Sequence, residues 1–268
     1  MSTAARLDAF LSAWRELALV EVKEARGSTP REEGAWMLVS PGAIFGTIGG
    51  GQLEFMAVDR ARQLVAAGAP ERDLMAVPLG PQIGQCCGGH VTLDIALADE
   101  SVIASLEARV AREDAQRPSV YIFGGGHVGH ALAAALALLP LAVIVVETRA
   151  EMFDGLPAGV EVRLAAMPED VVRDAPPASA FLVLTHDHAL DFLIVAEALK
   201  RGDAAYVGMI GSKTKRATFA SWYRKEADGD EASLSRLVCP IGGADVKDKR
   251  PAVIAALAAA EVMRALSV

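Results

Sequence analysis

The sequence has few cysteines, few aromatic residues and no excess of basic charge. Only 3 of its 268 residues are cysteine, which excludes the multiple-disulfide framework of small secreted domains. Lysine and arginine number 26 against 34 aspartates and glutamates, a formal net charge of -8. That balance lacks the overall positive charge of nucleic-acid-binding proteins. We therefore expect no nucleic-acid partner, and any anion site must be a local cluster.

The chain also lacks a hydrophobic run long enough to span a membrane. The longest apolar stretch, residues 131–146, is interrupted by Pro140 and is shorter than the roughly 20 residues that a span needs. The first residues carry charges at Arg6 and Asp8 and show no signal-peptide pattern. These absences predict a cytoplasmic protein without membrane association.

Hydrophobic residues are abundant, at 52% of the chain against 22% charged, and they suffice for a substantial core. Residues 1–111 combine helices, mixed or alternating strands and glycine-rich turns, which is typical of a smaller mixed α+β domain with a mostly antiparallel sheet. The polar segment AREDAQRPS, residues 111–119, is predicted to be a linker. Residues 119–268 alternate apolar strands with helices, which predicts an α/β, Rossmann-like parallel sheet with helices on both faces.

A GxGxxG pattern follows the first strand of the second half. In VYIFGGGHVGHA, Gly124 allows a tight turn, Gly126 lets a pyrophosphate approach the backbone, and Gly129 lets helix and strand pack closely. His127 is expected to face the ligand, and Glu147, at the end of the next strand, to meet a ribose hydroxyl. The pattern predicts a phosphate-bearing ligand. The alternative is a glycine-rich turn that binds no nucleotide.

Two further segments are candidate anion sites. In IGSKTKRATF, Ser212 is a plausible N-cap, so the next helix has Lys213, Lys215 and Arg216 in its first turn. Cations there oppose the helix dipole by about 0.3–1 kcal/mol each, and a bound anion would relieve this. A solvated charge cluster is the alternative. In GTIGGGQLE, backbone N–H groups of consecutive glycines can bind an anion or simply form a tight turn; these are Gly49, Gly50 and Gly51.

The segment THDHALD follows another apolar strand. It places His186, Asp187 and His188 at the carboxyl end of a parallel strand, where open α/β sheets bind ligands. General acid–base chemistry or hydrogen bonding to a heterocycle is the functional interpretation. Capping of the following helix by Asp187 is the structural one.

The segment GPQIGQCCGGHV places Cys86 and Cys87 side by side between glycines. Adjacent thiols are poorly placed to chelate one tetrahedral zinc, and an iron–sulfur cluster normally needs four cysteines. A disulfide between neighbours would be strained and labile. Two functional interpretations remain, a soft thiolate offered to a metal and a thiol that handles sulfur transfer. Small buried hydrophobic side chains are the alternative.

Together these motifs resemble the XdhC family, the accessory proteins of xanthine dehydrogenase and related molybdenum enzymes. The segments that carry the resemblance are GSTPREEGAWMLV, GTIGGGQLE, LGPQIGQCCGGHV, VYIFGGGHVG, THDHALD, YVGMIGSKTKR and CPIGG. They occur in the family's order, from about Leu17 to the C-terminal helix. The last segment, IGGADVKDKRPAV, departs from the shorter turn that is usual in the family.

The resemblance implies a chaperone of the molybdenum cofactor (molybdopterin) rather than a catalyst with its own turnover. Such a chaperone holds the cofactor while a cysteine desulfurase replaces an oxo ligand by sulfur, delivers it to apo xanthine dehydrogenase or a related molybdenum hydroxylase, and is commonly a homodimer. The glycine loops would hold phosphate, the segment 186–188 would contact the pterin, and Cys86 or Cys87 would approach molybdenum. The alternative is an NAD(P)-dependent oxidoreductase, from the GxGxxG pattern and Glu147.

Overall fold

The computed structural model describes residues 3–68, 72–81, 84, 88–243 and 245–266. The chain divides into two compact units between Glu113 and Asp114. The division lies in the segment predicted as a linker, but residues 111–115 are not a loop. They end helix α3 (Glu100–Ala115), which continues there because its exposed face is stabilised by pairs such as Arg109 with Glu113, 2.9 Å apart at i,i+4.

The first unit is built on an antiparallel sheet, as the mixed and alternating strand patterns predict. Its strands are β1 (Ala18–Arg26), β2 (Trp36–Val39), β3 (Ile44–Gly46), β4 (Arg72–Pro78) and β5 (His90–Leu97), in the order β3-β2-β1-β5-β4. Helices α1 (Thr3–Ala13) and α2 (Gly51–Ala67) complete the unit with α3.

Apolar side chains on both faces of this sheet are buried by helices. Leu53 and Leu64 of α2 pack on the face that carries Met37. Leu7 of α1 and Leu106 of α3 pack with Leu38. Since successive residues of a strand point to opposite faces, α2 covers one face and α1 and α3 cover the other.

The second unit has a six-stranded parallel sheet, which confirms the Rossmann-like prediction. Its strands are β6 (Ser119–Phe123), β7 (Ala142–Glu147), β8 (Glu161–Leu164), β9 (Ala180–Val183), β10 (Tyr206–Met209) and β11 (Leu237–Val238). The order β11-β10-β9-β6-β7-β8 means that the chain moves outward from β6 to β8 and then returns to pair β9 with β6. The junction of β6 and β9 is therefore the switch point at which such sheets bind ligands.

Helices cover both faces of this parallel sheet. They are α4 (His127–Leu136), α5 (Pro168–Asp174), α6 (His188–Lys200), α7 (Lys213–Glu226), α8 (Glu231–Ser235) and α9 (Pro251–Leu266). One face packs Phe123 and Phe181 against α6 and α7, and the other packs Ile122 against α4 and α9. Within the described ranges, no helix has both the length and the hydropathy needed to cross a membrane.

The turn from β6 into α4 leaves no room for a side chain at three of its glycines, Gly124, Gly125 and Gly129. A Cβ at Gly124, where φ is 117°, would lie 2.4 Å from the carbonyl oxygen of Leu184. A Cβ at Gly129 would lie 2.0 Å from the carbonyl oxygen of Gly124. Gly126 differs, because φ is -76° and no atom lies within 4 Å of the position that a Cβ would take. The turn thus holds α4 against the sheet while Gly126 faces open space.

We expect Gly129→Ala to destabilise the protein by about 1–3 kcal/mol, because the added methyl group would push α4 away from the backbone of β6. Gly126→Ala is the matched control, and we expect it to be neutral or slightly stabilising because its backbone angles suit alanine. Urea unfolding followed by circular dichroism measures both changes. Equal stability of the two variants would contradict this description of the turn.

Candidate functional site

The loops predicted to contact a ligand leave the parallel sheet at its carboxyl edge, the side on which its strands end. Gly124 follows β6, Glu147 ends β7, Thr185 lies just beyond β9 and Ser212 lies beyond β10. Cys239 directly follows β11. Because the carboxyl ends of parallel strands share an edge, the structure brings these segments to one side of the second unit, around the switch point between β6 and β9.

The N-terminus of α4 is open to a ligand at this edge. Its N-cap residue is Gly126, and no described side chain caps the helix there. The N–H groups of the first turn, beginning at the exposed His127, therefore lack a side-chain acceptor in the described part of the chain. Such N–H groups, together with the helix dipole, bind phosphate and other anions.

The carboxylate of Glu147 is buried and accepts hydrogen bonds from its own chain, so it is not exposed to bind a ribose hydroxyl. Its side chain is 5% exposed, and its oxygens accept hydrogen bonds from the backbone N–H groups of Gly125 at 3.0 Å and Thr148 at 2.8 Å. Arg149 lies 3.4 Å away. Burial raises the pKa of Glu147, but the hydrogen bonds from Gly125, Arg149 and Thr148 outweigh it and hold that pKa below its usual value. The carboxylate supports the glycine turn, and its contact with a ribose stays a prediction.

Lys215 is neutralised by a carboxylate of its own chain. Its Nζ donates a hydrogen bond to Asp191, whose side chain is fully buried. The other carboxylate oxygen of Asp191 accepts from the backbone N–H of Thr185 at 2.9 Å and from its hydroxyl at 2.7 Å. The charge of Lys215 is therefore offset without a bound anion, and its contact with a ligand stays a prediction. The N-cap role of Ser212 is present, since its hydroxyl accepts from the N–H of Lys215 at 3.2 Å.

Sequence reasoning missed Asp191, although it lies within the THDHALD segment. One signal was available: Asp191 precedes the apolar residues Ile194 and Val195 by three and four positions, so it lies on the buried face of α6. A carboxylate on such a face requires a partner.

The other two cations at the start of α7 differ in exposure, since Lys213 is exposed and Arg216 is half-buried.

Asp187 caps helix α6, which is the structural role that the sequence left open beside a functional one. Its carboxylate accepts from the backbone N–H of Ala189 at 2.7 Å and caps α6. His186 and His188 are exposed on either side of it. Among the described residues, no group of three or more His, Cys, Asp or Glu side chains is placed to hold a metal ion. The two imidazoles are thus available to a ligand as hydrogen-bonding groups.

Cys239 is a half-buried free thiol at the same edge. Burial raises its pKa, although the nearby cations Lys215 and Arg216 oppose that shift. The balance favours the neutral thiol, so this cysteine is a poor candidate for a reactive thiolate.

In the first unit, three connecting segments leave the same end of the antiparallel sheet. They join β1 to β2, β3 to α2 and β4 to β5. The first segment touches both others: a Cβ at Gly49 would lie 2.4 Å from Cβ of Pro30, and a Cβ at Gly89 would lie 2.3 Å from the carbonyl oxygen of Ser28. The motifs GSTP, GTIGGG and the end of GQCCGG are therefore adjacent.

The glycine turn at Gly49–Gly51 already holds a carboxylate of its own chain. Oε2 of Glu54 accepts from the hydroxyl of Thr47 at 2.6 Å and from the N–H groups of Ile48 and Gly50, each at 3.1 Å. An external anion would have to displace Glu54, which counts against the predicted anion site here. The missed signal was the position of Glu54 in the first turn of α2, where the helix dipole and the free N–H groups favour an acidic side chain.

Cys86 and Cys87 lie outside the described residues, but both ends of their segment are described. Leu79 donates to the carbonyl oxygen of Gly89 and accepts from the N–H of Gly88, each bond being 2.8 Å. The segment between β4 and β5 is thus closed at its base, beside the turn at Ser28.

Both units of the chain match known family models. A model for the XdhC Rossmann domain matches residues 120–262, more than half of the chain. The chain belongs to the XdhC family. A second model, for the XdhC and CoxI family, matches residues 11–77. The family resemblance inferred from the sequence motifs is confirmed.

Two individual proteins illustrate the similarity of this XdhC-family chain to others. YqeB, an uncharacterized protein of Escherichia coli strain K12, is 26% identical over 256 residues, which are 92% of this chain but only 43% of YqeB. The chain therefore spans less than half the length of that relative. A crystal structure described as a xanthine dehydrogenase from Bacillus halodurans has a TM-score of 0.80 at 17% identity, covering 100% of this chain and 96% of the other. At that identity the likeness shows the fold.

We expect Lys215→Met to cost about 3–5 kcal/mol of stability, because it leaves the buried carboxylate of Asp191 without its cation. The matched control, Lys213→Met, removes the same charge from an exposed position of the same helical turn and is expected to change stability by about 0.5 kcal/mol or less. Chemical denaturation at neutral pH measures the difference. Similar effects of the two substitutions would show that the ion pair between Lys215 and Asp191 contributes little to the free energy of unfolding.

Proposed function

We propose that this protein is an accessory protein of xanthine dehydrogenase or a related molybdenum hydroxylase, and that its cargo is the molybdenum cofactor. Membership of the XdhC family supports an accessory role, and the similar fold described as a xanthine dehydrogenase is in keeping with it. In this proposal the chain binds molybdopterin during sulfuration by a cysteine desulfurase and then delivers it to the apo-enzyme, without turnover of its own.

The open N-terminus of α4 is the observation that carries the proposal. Molybdopterin ends in a phosphate group, and a helix N-terminus with free N–H groups attracts phosphate through both hydrogen bonds and the helix dipole. The space above Gly126 lets the phosphate approach the backbone, since no atom lies within 4 Å of where a Cβ would be. The position at the switch point of the sheet is the usual place for a bound ligand.

The neighbouring side chains suit the remainder of the cargo. The exposed imidazoles of His186 and His188 can donate and accept hydrogen bonds, which the edges of a pterin require. Lys213 and Arg216 add positive charge at the start of α7, and this charge favours a phosphate at that edge. Each of these contacts is part of the proposal.

The paired cysteines would supply soft ligands. A cysteine thiolate is a soft sulfur ligand, of the same kind as the dithiolene sulfurs that hold molybdenum in the cofactor. In our proposal Cys86 or Cys87 contacts the metal or the incoming sulfur, and the bonds of Leu79 with Gly88 and Gly89 hold the ends of that segment in place.

We expect Gly126→Val to lower retention of the cofactor about tenfold, a loss of about 1.4 kcal/mol in binding, because its side chain would occupy the space over the α4 N-terminus. The purified chain is incubated with molybdenum cofactor and desalted, and the protein fraction is oxidised so that its fluorescent pterin can be measured. Gly202→Val is the matched control, since Gly202 also has no atom within 4 Å of its Cβ position and lies between α6 and β10, at the amino end of that strand.

Background retention by the folded native chain would remove the proposal. Full retention by Gly126→Val would show that the phosphate is held elsewhere. Thermal unfolding of each variant is recorded in parallel, so that a folding defect is separated from a binding defect.

We expect the double replacement Cys86→Ala and Cys87→Ala to lower retention of the metal more than retention of the pterin, because these thiols would hold molybdenum rather than the ring. Cys239→Ala is the control, a single-cysteine change at a half-buried thiol. Molybdenum is measured by mass spectrometry on the same fractions as pterin fluorescence. Unchanged molybdenum-to-pterin ratios in the double variant would contradict a metal contact.

An NAD(P)-dependent oxidoreductase is the second candidate, and the strand order around β6 favours it because dinucleotide-binding domains share that order. The burial of Glu147 counts against it, since both carboxylate oxygens already accept hydrogen bonds from the chain. Calorimetric titration with NAD and NADP, together with the pterin assay, separates the two candidates. Saturable nicotinamide binding without pterin retention would favour the oxidoreductase.

A further inference from the structure

The first unit contains a cleft that the proposed function does not use. Its volume of about 620 Å³ falls within the range of about 300–1,000 Å³ that is usual for small-molecule sites. The residues that line it come from α1, the segment between β1 and β2, strand β3 and the end of α3. All of them belong to the first unit, whereas the phosphate site at α4 belongs to the second.

One wall of the cleft is fixed by an arginine whose donors are engaged. Nη2 of Arg109, on α3, donates to the carbonyl oxygen of Gly34 at 2.6 Å. Nη1 donates to Glu21 on β1, and Nε to Glu113, each at 2.9 Å. Because these bonds tie α3 to β1 and to the segment between β1 and β2, the wall is in place without a ligand. A preformed site loses less conformational entropy on binding.

Two stacked aromatic rings form an apolar part of the lining. Trp36 of β2 and Phe45 of β3 have ring centroids 5.8 Å apart and planes inclined by 28°. Both side chains line the cleft and are half-buried. The indole N–H of Trp36 has no acceptor among the described residues. This surface suits a flat ring, since aromatic pairs add binding energy beyond the area they bury.

Four charged side chains of the cleft have no ion-pair partner in the described part of the chain. Arg6 and Arg31 are positive, Glu32 and Glu33 are negative, and all four are exposed. Arg6 is nevertheless positioned, because its guanidinium lies 5.7 Å from the ring centroid of Phe45. A stacked guanidinium keeps its edge free to hold a carboxylate through two hydrogen bonds.

The charges select a ligand that carries both signs. Glu32 and Glu33 would repel a multiply charged anion such as a nucleotide, and the two arginines would repel a simple cation. An α-amino acid carries a carboxylate and an ammonium group side by side, so it can pair with both kinds of side chain. An aromatic side chain would also use the rings of Trp36 and Phe45.

We propose that this cleft binds a zwitterionic α-amino acid with an aromatic side chain. The carboxylate accepts hydrogen bonds from Arg6, and the ammonium group lies against Glu32 or Glu33. The ring of the ligand packs on Trp36. The inference goes beyond the proposed function and does not depend on cargo binding. For a ligand of about twelve non-hydrogen atoms we expect a Kd of about 0.01–1 mM.

Ligand analogues test the charge selection on the native chain. L-phenylalanine is titrated into ¹⁵N-labelled protein, in parallel with 3-phenylpropionate, which lacks the ammonium group, and phenethylamine, which lacks the carboxylate. Each analogue is expected to bind about tenfold more weakly or worse, because charged groups of the cleft lose their hydrogen-bonding partner. L-alanine, which lacks the ring, is expected to lose about as much because it cannot stack.

The indole resonance of Trp36 locates the ligand. We expect this N–H to shift on titration with L-phenylalanine, because the ring of the ligand packs on Trp36. The chain has two other tryptophans, Trp14 and Trp222, which do not line the cleft, and their resonances are expected to stay in place. The substitution Trp36→Phe assigns the resonance.

Substitutions test the two kinds of charged partner. Arg6→Met, and separately the double replacement Glu32→Gln with Glu33→Gln, are each expected to weaken binding of L-phenylalanine by about tenfold or more. Arg15→Met and Glu107→Gln are the matched controls at exposed positions outside the cleft, and they are expected to leave the Kd unchanged. Thermal unfolding of each variant separates a folding defect from a binding defect.

An unmoved Trp36 indole resonance at about 10 mM L-phenylalanine, ten times the highest expected Kd, would overturn the proposal. Equal affinity for 3-phenylpropionate or phenethylamine would also overturn it, since the cleft would then recognise only one charge. Unchanged binding by a folded Arg6→Met variant would have the same meaning. Preference of the native chain for the zwitterion, with weaker binding in the charge variants, would support it.

Discussion

The close contact of two glycines at the start of α4 is the constraint on which the candidate site depends. A Cβ at Gly129 would lie 2.0 Å from the carbonyl oxygen of Gly124, and a Cβ at Gly124 would lie 2.4 Å from the carbonyl oxygen of Leu184, just after β9. This contact places the first turn of α4 at the junction of β6 and β9. The N–H groups of that turn consequently face the position at which parallel sheets bind ligands.

Carboxylates of the chain itself occupy several polar groups at or beside the positions that the sequence suggested for an anion. Glu54 accepts from the glycine turn of the first unit, Glu147 accepts from Gly125, and Asp191 neutralises Lys215. Each pairing removes the cost of a buried or concentrated charge without any ligand. The start of α4 has no such side-chain partner among the described residues, and for that reason we assign the phosphate to it.

The fold was predictable from the sequence because its signals are local. Continuous apolar strands between helices indicate a parallel sheet covered on both faces, and alternating strands indicate an antiparallel one. The boundary between the two units lies in the predicted linker, but the helical conformation of residues 111–115 was missed, since the polar end of α3 lacks an apolar stripe and is held by pairs such as Arg109 with Glu113. The short strand β11 was missed because two residues, Leu237 and Val238, form no recognisable pattern.

The candidate site was less predictable because its chemistry depends on pairings between distant residues. Sequence reasoning located Lys215 but could not show that Asp191, 24 positions earlier, would lie against it. It likewise identified Glu147. It could not show that the N–H of Gly125, 22 positions away, would donate a hydrogen bond to that carboxylate. A motif shows which groups are present, whereas the fold decides which of them already have partners and which are free to bind a ligand.

The central claim is that the first turn of α4 binds the phosphate of the pterin cargo. The most direct measurement is an amide ¹H–¹⁵N spectrum of the chain, recorded alone, with molybdenum cofactor, and with cofactor whose phosphate has been removed by phosphatase. Our account predicts that the largest shifts are those of His127, Val128 and Gly129, and that they disappear with the dephosphorylated cofactor. Binding of the intact cofactor with these three resonances unmoved would contradict it.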